Sequence, residues 1–436
     1  MEYRLMTLCD FHDTRRETMT HMAQHLGEQD IIAGMDLASA EHVVVLLTSK
    51  GERLTRFTIP HSLEGLEELV RRTNARLWNR PRGRVVFAFE ATGHVWEAVA
   101  HFLEEAGLKY RIVNPLATHR VREARQLDRD KRDVTDAEQI AELLRTGIVT
   151  ETQLDPPAYV ELRRLWREFD RIRRERARFK TLIKHQLFGL FPELVGVWKD
   201  ILGPGAMSVL RLGLTPRRIA EMTCREFCTL ARENRRGRRI WRYKILQVHA
   251  WACRTVASPR GAEAMSQEVQ RITARADLLS DQLEALSSQI QELLASFEEA
   301  QYLTTMPGIG WVTVTGLIAE IGPIDKYQHG RQLIKLAGIN PSRRESGKMA
   351  GRTMMTRRGR AGLRSLVYMA TVSSIQHNPR IKAHYDRLIQ RPDRPMLKMQ
   401  ALGACMSKFL LYAFAVMKKR EAFRIDHIWK EVRLAA

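Results

Sequence analysis

Short apolar runs separated by turn residues follow a polar start to the chain. Residues 1–29 are polar and predict a loose leader. Runs of β-branched and other apolar residues then predict five strands, at Ile31–Met35, Val43–Leu47, Leu54–Ile59, Val85–Phe89 and Tyr110–Val113. Helices are predicted after Ser62, between the fourth and fifth strands, and from about Asp133 to Arg145. Three strands followed by alternating helices and strands indicate an α/β domain over residues 30–155.

Acidic residues stand at the ends of these predicted elements. Asp36 follows the first strand and Glu90 the fourth, and an RNase H-like (RuvC-like) fold with this element order places those two strands side by side. Asp133 and Asp136 are three residues apart, so on a helix they share one face. Carboxylates gathered at the ends of apolar strands are costly without a cation, and Mg²⁺ prefers oxygen ligands. The sequence therefore predicts the magnesium site of a metal-dependent nuclease.

Residues 156–300 predict a helical region. Apolar residues recur at helical spacing from Leu162 to Ile183, with Arg and Lys on the other faces. A second segment steps alternately by four and three residues, which is a heptad pattern: Ile272, Ala276, Leu279, Leu283, Leu286, Ile290, Leu293 and Phe297. An antiparallel helical hairpin within one subunit and an intermolecular coiled coil satisfy this pattern equally well.

Basic residues exceed acidic residues along the whole chain. The 71 Lys and Arg against 50 Asp and Glu give a formal net charge of +21, which favours nucleic acid over a membrane surface as the partner. A basic insertion at residues 190–265 includes the run from Arg232 to Arg242, which adjoins Trp241 and Tyr243. Charge runs are usually solvated faces, but arginines beside aromatic rings suit phosphate and base contacts. We predict nucleic-acid binding by Arg235, Arg236, Arg238 and Arg239.

The five cysteines are scattered and do not have the spacing of a disulfide framework, which indicates a reducing compartment. Cys224 and Cys228, with His249 and Cys253 downstream, form a weak zinc pattern, and small buried thiols are the better interpretation. No apolar run reaches the ~18 residues that span a bilayer. The N-terminus also lacks the apolar segment of a signal peptide. We therefore expect a cytoplasmic protein with no membrane partner.

The C-terminal region, residues 301–436, predicts mainly helices. Pro307-Gly-Ile-Gly310 precedes an apolar helix that starts at Trp311. This turn resembles the hairpin of helix-hairpin-helix DNA binders, in which backbone N–H groups hold a phosphate. On that interpretation Gly308 and Gly310 contact nucleic acid. A tight interhelical turn is the competing interpretation.

A basic loop follows, in which Ser346 precedes a glycine. On residue type alone its hydroxyl is an ordinary loop group. It is alternatively a nucleophile that attacks phosphorus, with arginines stabilising the charge of the pentacovalent phosphate. The candidate phosphate-binding residues are Arg343, Arg344, Arg352, Arg357 and Arg358.

Together, these motifs resemble the transposases of the insertion sequence one-ten family, which are DNA recombinases of bacterial and archaeal mobile elements. The resemblance covers about residues 31–150 and 300–420. It rests on Gly34-Met-Asp36, Phe89-Glu-Ala-Thr-Gly93, Asn114-Pro115, Lys131-Arg-Asp-Val-Thr-Asp-Ala137, Pro307-Gly-Ile-Gly310, Ala337-Gly-Ile-Asn-Pro341 and Glu345-Ser-Gly347. Any one motif is weak, whereas the set in this order and spacing is specific.

The resemblance implies a RuvC-like domain whose acidic tetrad binds Mg²⁺, at positions that match Asp36, Glu90, Asp133 and Asp136. It implies a C-terminal transposase domain whose serine, here Ser346, forms a covalent phosphoserine link to DNA. It further implies a coiled coil between the domains and an active site shared between protomers. A structured noncoding bridge RNA would select target and donor DNA by base pairing. We expect a homodimer that assembles into a tetramer, in the bacterial cytoplasm at the nucleoid.

Two other functions satisfy part of the pattern. A RuvC-type metal-dependent nuclease that hydrolyses branched DNA needs the four acids but no covalent serine intermediate. A scaffold that binds nucleic acid without cutting it needs neither, and the intact set of acids argues against it.

Overall fold

The computed structural model describes residues 26–91, 93–113, 118, 136–148, 154–343 and 353–424. The chain divides into two compact units, Met1–Leu154 and Asp155–Ala436. The first unit contains a mixed sheet with helices and the second is mostly helical, which confirms the predicted distribution of secondary structure.

A five-stranded sheet forms the centre of the first unit. Its strands are β1 (Ile31–Leu37), β2 (Glu41–Thr48), β3 (Arg53–Pro60), β4 (Val85–Glu90) and β5 (Lys109–Val113). They lie in the order β3-β2-β1-β4-β5, with β1 antiparallel to β2 and parallel to β4. The five predicted strands are confirmed, but each is longer than predicted. Asp36 and Glu90 therefore belong to their strands instead of following them.

The central strand β1 is apolar on both faces because both faces of the sheet are covered. The covering helices are α1 (Leu63–Ala75), α2 (Val95–Glu105) and α3 (Asp136–Arg145). Ala33 and Met35 pack in the core that contains α1 and α2, whereas Ile32 packs in the core that contains α3. The predicted cap of α1 is confirmed, since the Ser62 side chain accepts a hydrogen bond from the backbone N–H of Gly65.

A glycine in β1 allows α3 to approach the sheet. A Cβ atom at Gly34 would lie 2.1 Å from the carbonyl oxygen of Ala137 and 2.6 Å from the backbone nitrogen of Ala141. Any side chain at this position would therefore push the helix away. The close contact fixes the first turn of α3 against β1, two residues before Asp36.

A long antiparallel pair of helices begins the second unit. The pair consists of α4 (Pro157–Leu190) and α10 (Ala262–Leu294). Arg176 donates to Ser280 at 2.8 Å, and Gln186 donates to Glu268 at 2.9 Å. Six of the eight predicted heptad positions are buried, the exceptions being Leu283 and Leu293, which are partly buried. The hairpin within one subunit is confirmed, and the face that also predicted an intermolecular coiled coil is covered by α4.

The insertion between these long helices is a packed subdomain. Its helices are α5 (Leu194–Val197), α6 (Pro204–Leu210), α7 (Pro216–Glu221), α8 (Cys224–Glu233) and α9 (Arg242–Ala252). Their apolar residues form a core of their own with the adjoining ends of α4 and α10. Phe227 is fully buried in it. The 190–265 segment therefore carries its basic residues on a folded surface.

Short helices and a hairpin complete the second unit. These are α11 (Glu298–Leu303), α12 (Trp311–Ile321), a 3-10 turn (Ile324–Lys326), α13 (Gly330–Ala337), β6 (Pro341–Arg343), β7 (Thr353–Met355), α14 (Ala361–His377), α15 (Pro379–Ile389) and α16 (Lys398–Lys419). β6 and β7 pair antiparallel.

Helix α16 corrects one expectation from the sequence. Its 22 residues are long and apolar enough to cross a membrane by length and composition, although no such segment was expected. More than half of its most apolar window is buried inside the unit, where Phe409 and Leu410 are fully buried. Its apolar character is explained by packing on three sides of the C-terminal core, against α13, α14 and α15.

Candidate active site

Two of the predicted acids lie beside each other on neighbouring parallel strands. β1 and β4 pair in register up to Met35 and Phe89, so Asp36 and Glu90 come next on each strand. Ile32 and Ala88 face α3, and side chains alternate along a strand, so Asp36 and Glu90 lie on that same face. Asp36 is exposed and Glu90 is half-buried. The predicted meeting of these two acids at one end of the sheet is confirmed.

The third acid, Asp136, lies on α3, the helix that packs on Gly34. Asp136 is the first residue of α3 and is half-buried, and the carbonyl of the next residue touches Gly34. Gly34 and Asp36 are on the same face, two residues or about 7 Å apart along the strand. The first turn of α3 therefore lies at the end of the sheet that carries Asp36 and Glu90. Asp133 lies outside the described residues.

The donor types at this corner suit a hard divalent cation, because all of them are carboxylate oxygens. Within the residues that the structure describes, no group of three His, Cys, Asp or Glu side chains is close enough to hold a metal ion. Residues 119–135, which include the fourth acid, are not among those described. The donor chemistry of Asp36, Glu90 and Asp136 suits a metal ion, but these described acids do not by themselves form a metal-binding group, and metal binding by the four acids stays a prediction.

Sequence reasoning missed a buried histidine at the same end of the sheet. His42 is opposite Leu37 in the β1–β2 register, which places it on the face of the sheet that α1 and α2 cover. Its Nε2 lies 3.0 Å from Nδ1 of His61, and it is fully buried. Burial, and then the charge of His61, lower the pKa of His42 to about 4. The neutral ring lies on the opposite face of the sheet from the acids, and its position near the start of an apolar strand was a local sign that it would be buried.

The hairpin that carries the predicted nucleophile is anchored at its base. Ser346, Arg344 and Arg352 lie outside the described residues. Below them, the hydroxyl of Thr356 donates to Oδ1 of Asn340 at 2.8 Å, and the backbone N–H of Thr356 donates to the Asn340 carbonyl at 3.0 Å. The two ends of the segment that contains Ser346 are therefore held to one rigid base.

Two predicted phosphate-binding residues, Arg357 and Arg358, follow this hairpin and are exposed. Arg357 has a positive φ of 52°, and its N–H donates to the carbonyl of Gly338 at 3.0 Å. Gly338 also has a positive φ of 66°, and a Cβ there would lie 2.9 Å from the Arg358 backbone. This close backbone contact explains the glycine of the Ala-Gly-Ile-Asn-Pro motif by packing.

The Pro-Gly-Ile-Gly turn is packed at its first glycine and open at its second. Gly308 has φ 89°, and a Cβ there would lie 3.1 Å from the carbonyl oxygen of Ser373 on α14. The Ser373 hydroxyl donates to the Gly308 carbonyl at 2.6 Å. Gly310 has no atom within 4 Å of its Cβ position. The interhelical turn thus accounts for Gly308, and phosphate binding at Gly310 stays a prediction.

Half of the arginines predicted to bind nucleic acid in the insertion contact acids of α10. Arg236 is 3.0 Å from Asp281, and Arg238 is 3.0 Å from Glu284. Arg239 lies over the ring of Trp241, at 5.1 Å from its centroid. Arg235 is exposed. The charge of this run, Arg232 to Arg242 (hereafter the basic stretch), is therefore partly balanced inside the chain, and nucleic-acid binding by it stays a prediction.

The cysteine pattern does not form a metal site in the described residues. Cys224 Sγ lies 3.3 Å from Nδ1 of His249, whose Nε2 contacts the Met222 carbonyl at 2.8 Å. Cys224 and Cys253 are exposed, so the interpretation of these two as buried thiols was wrong. The helix faces that carry them point away from the small core of the insertion; Cys405, in contrast, is buried in α16.

Two family models match this chain. A DEDD transposase model of the insertion sequence one-ten (IS110) group matches residues 33–192. A second model, for transposases of the IS116/IS110/IS902 family, matches residues 300–386. Together they cover more than half of the chain; the first includes nearly all of the predicted block at 31–150, and the second covers residues 300–386 of the predicted block at 300–420. A DEDD-type domain suggests dependence on a divalent metal.

Relatives extend the similarity between and beyond these blocks. The 44.8 kDa protein of insertion element IS116 from Streptomyces clavuligerus is 22% identical over 90% of this chain and 96% of its own length. The 43.6 kDa protein of insertion element IS110 from Streptomyces coelicolor is 23% identical over 82% of this chain and 87% of its own length. A pilin gene-inverting protein of Moraxella lacunata is 29% identical over 33% of this chain and 46% of its own length.

Proposed function

The chain belongs to the IS110 family of transposases, and we propose that it cuts and exchanges DNA strands with a magnesium-binding acidic tetrad and a serine nucleophile. The tetrad is Asp36, Glu90, Asp133 and Asp136, in an RNase H-like domain, and the nucleophile is Ser346 in the C-terminal transposase domain. Transposases act on DNA, and the large positive charge of the chain suits that polyanion. A noncoding bridge RNA of the element selects the target and donor DNA.

One observation carries the acidic part of this proposal. The register of β1 and β4 places Asp36 beside Glu90, and the contact of α3 with Gly34 brings Asp136 to the same end of the sheet. These residues come from distant positions in the sequence, and the fold brings them to the same end of one sheet. The arrangement concentrates acidic side chains at one place in a strongly basic protein.

The residues of the chain divide the chemistry between them. The four carboxylates would hold Mg²⁺, which supplies charge neutralisation at the scissile phosphate and lowers the pKa of a coordinated hydroxyl. The Ser346 hydroxyl attacks the phosphorus atom, and as the Ser346 oxygen–phosphorus bond forms, the bond to the deoxyribose oxygen breaks. The serine proton leaves to solvent or a base, and the departing oxygen takes up a proton. The arginines of the hairpin, Arg343, Arg344, Arg352, Arg357 and Arg358, bind the phosphate oxygens.

The phosphoserine ester keeps the energy of the broken phosphodiester bond. A hydroxyl of a second DNA strand can therefore attack the phosphorus and release Ser346, which exchanges strands without ATP. This chemistry fits recombination better than hydrolysis, because attack by water on the phosphoserine ester would release a free DNA end and form no new phosphodiester bond. A homodimer that assembles into a tetramer, with each active site shared between protomers, brings two DNA duplexes together in the bacterial cytoplasm.

Covalent trapping tests the proposal. The full-length protein, Mg²⁺, junction DNA of the element and its flanking RNA are mixed and resolved on denaturing gels. We expect a protein–DNA adduct that is lost in Ser346→Ala and in Asp36→Asn, by at least about a hundredfold because each change removes a group that acts in the transition state. Addition of EDTA should abolish the adduct in the wild type.

Matched controls are available on the same elements. Ser342→Ala changes an exposed serine of β6 in the same hairpin, and Glu41→Gln changes an exposed acid at the same end of the sheet. Both should form the adduct at the wild-type level. Cleavage without an adduct that persists in Ser346→Ala would show a RuvC-type nuclease that hydrolyses branched DNA, and would remove the serine from the mechanism.

A further inference from the structure

A basic cleft in the second unit is used by none of the motifs above. It encloses about 690 Å³ between α4, the end of α12 and the start of α14. Five arginines line it, namely Arg167, Arg171, Arg174, Arg178 and Arg360. Its acidic lining residues are Asp170, Glu175 and Glu320, so the wall has two more positive than negative charges.

Four of these arginines form a line along one face of α4. Arg167, Arg171, Arg174 and Arg178 (hereafter the arginine row) recur at steps of four, three and four residues, which is the spacing of one helix face. The eleven residue steps from Arg167 to Arg178 span about 16 Å of helix. One strand of B-form DNA carries a phosphate about every 3.4 Å along its axis, so the row is as long as about five phosphate steps.

The ion pairs of the row inside the chain are weak. Arg167 lies 4.0 Å from Glu320 and Arg171 lies 3.9 Å from Glu175, and these arginine side chains are 62% and 66% exposed. Arg174 contacts Asp170, which also contacts Arg173. In the described part of the chain, no ion pair involves Arg178. The arginine partners of these pairs are exposed, whereas Glu320 and Asp170 are only 8% and 15% exposed, so a phosphate can reach the guanidinium groups and compete for them.

The deep wall of the cleft holds a cation with little compensation. The Arg360 guanidinium donates to the backbone carbonyl of Glu320 and, among the described residues, lies in no ion pair. Burial, followed by the charge of Arg163, lowers the pKa of Arg360. Glu320 supplies part of the opposite charge near Arg360, and an anion in the cleft would stabilise this cation further.

Among the described residues that line the cleft, none presents an exposed ring on which a base could stack. The one aromatic residue that lines it, Trp166, is 4% exposed and packs against Gly316. Phosphate contacts set the position of a nucleic acid, whereas base contacts set its sequence. A cleft of arginines without an exposed ring therefore fits the backbone and not the bases.

We propose that this cleft binds the sugar–phosphate backbone of a nucleic acid through the arginine row and Arg360, without sequence preference. The proposal rests on the proposed function only in taking nucleic acid as the polyanion. It needs neither Ser346 nor the acidic tetrad, so it can be tested with all chemistry stopped by EDTA.

The test measures binding of full-length protein to a labelled DNA duplex of arbitrary sequence, and to an RNA duplex of the same sequence, as salt is varied. Arg174→Gln/Arg178→Gln removes two neighbouring charges of the row. We expect binding about 50-fold weaker at 0.1 M salt, and a slope of log affinity against log salt smaller by about two, since each phosphate contact contributes about 0.9. The duplex whose slope falls identifies whether the backbone is that of DNA or RNA.

A matched double variant sits on α10 of the same unit. Arg271→Gln/Arg275→Gln also removes two exposed arginines four residues apart, and should leave affinity and slope unchanged. Arg174→Lys/Arg178→Lys should keep the slope because it keeps the charges. Equal effects of the cleft and control variants, or no effect on either duplex, would overturn the proposal. If the double variant does not fold, Arg178→Gln alone should lower the slope by about one.

Discussion

The basic stretch and the arginine row, both in the second unit, differ in how easily they are recognised in the sequence. They also differ in how far acidic side chains neutralise their charges. The basic stretch is conspicuous because its arginines are consecutive, yet Arg236 and Arg238 contact acids of α10 at 3.0 Å. The arginine row is inconspicuous because its four members are spread over twelve positions, yet they share one cleft. Arginines that are close together in the sequence therefore do not always form the surface with the most available positive charge.

The difference follows from what each segment packs against. The basic stretch connects α8 to α9 and packs beside α10, where the buried Asp277 and the exposed Asp281 and Glu284 are spaced by four and three residues. The arginine row shares its helix with acids, but the pairs it forms there are long or divided between two arginines. A complementary face on a neighbouring element thus neutralises a charge run more fully than acids on the same helix.

The largest effect is expected where the basic stretch is tied to the core. Asp277 accepts two hydrogen bonds from Arg211, at 2.7 Å each, and the two side chains are 7% and 16% exposed. Arg211 also donates to the Asn234 carbonyl at 2.5 Å, which fixes the start of the turn. Asp277→Ala leaves the guanidinium buried without its carboxylate and should lower the free energy of unfolding by about 3–5 kcal/mol. Urea unfolding followed by circular dichroism measures this.

Asp281→Ala is the control for that change. Asp281 is four residues further along α10, and its pair with Arg236 is exposed on both sides. Its loss should cost less than about 1 kcal/mol. A cost for Asp281→Ala equal to that for Asp277→Ala would mean that the whole basic stretch, and not its buried anchor, holds the turn in place.

The fold of the first unit could be predicted from the sequence because each strand is marked by its own run of apolar residues. β1 is apolar on both faces, and Ser62 caps α1 as expected. The bounds were less accurate because pairing with a neighbour extends a strand into polar residues, as with Asp36 in β1. A local pattern cannot show such tertiary hydrogen bonding.

Only those residues of the candidate site that local sequence motifs identify could be predicted. Asp36 and Glu90 could be named from their positions at the ends of apolar runs, and Asp136 from its three-residue spacing to Asp133 on a predicted helix. The β1–β4 register and the packing of α3 on Gly34 bring Asp36, Glu90 and Asp136 to one end of the sheet. His42 was missed because a lone histidine in a strand gives no sign that it will meet His61. The cleft was missed for the same reason, since Arg360 joins the arginine row only through the packing of α14 near α4.

A cluster of basic side chains surrounds His384, which is half-buried on α15. Burial lowers the pKa of His384 to about 4, with the charges of Arg387, Lys408 and Arg391 as further causes. The neutral ring is favoured in the folded state, so protonation favours unfolding. Stability is then full above about pH 6.5 and falls as the pH decreases towards 4, by about 2 kcal/mol for a half-exposed ring.

His384→Gln tests this by removing the titrating ring while keeping a polar side chain near Arg387, which now lies 2.9 Å from Nδ1. The variant should lose less stability than the wild type between pH 7 and pH 4.5 in urea unfolding. His185→Gln, at an exposed position of α4, should behave as the wild type does. Parallel loss in all three proteins would show that other groups cause the acid sensitivity of the unit.

The smallest effect is expected for the exposed arginines of the basic stretch. Arg236→Gln/Arg238→Gln removes two charges of the basic stretch, but Asp281 and Glu284 already balance them. Its affinity for a DNA duplex should fall less than about threefold, and the salt slope should change by less than one, because few counterions are released at a neutralised pair. Binding to labelled DNA in EDTA gives both quantities beside those of Arg174→Gln/Arg178→Gln. A loss at the basic stretch that equals or exceeds the loss at the arginine row would show that DNA displaces the α10 acids, and that arginines clustered in sequence form the stronger surface after all.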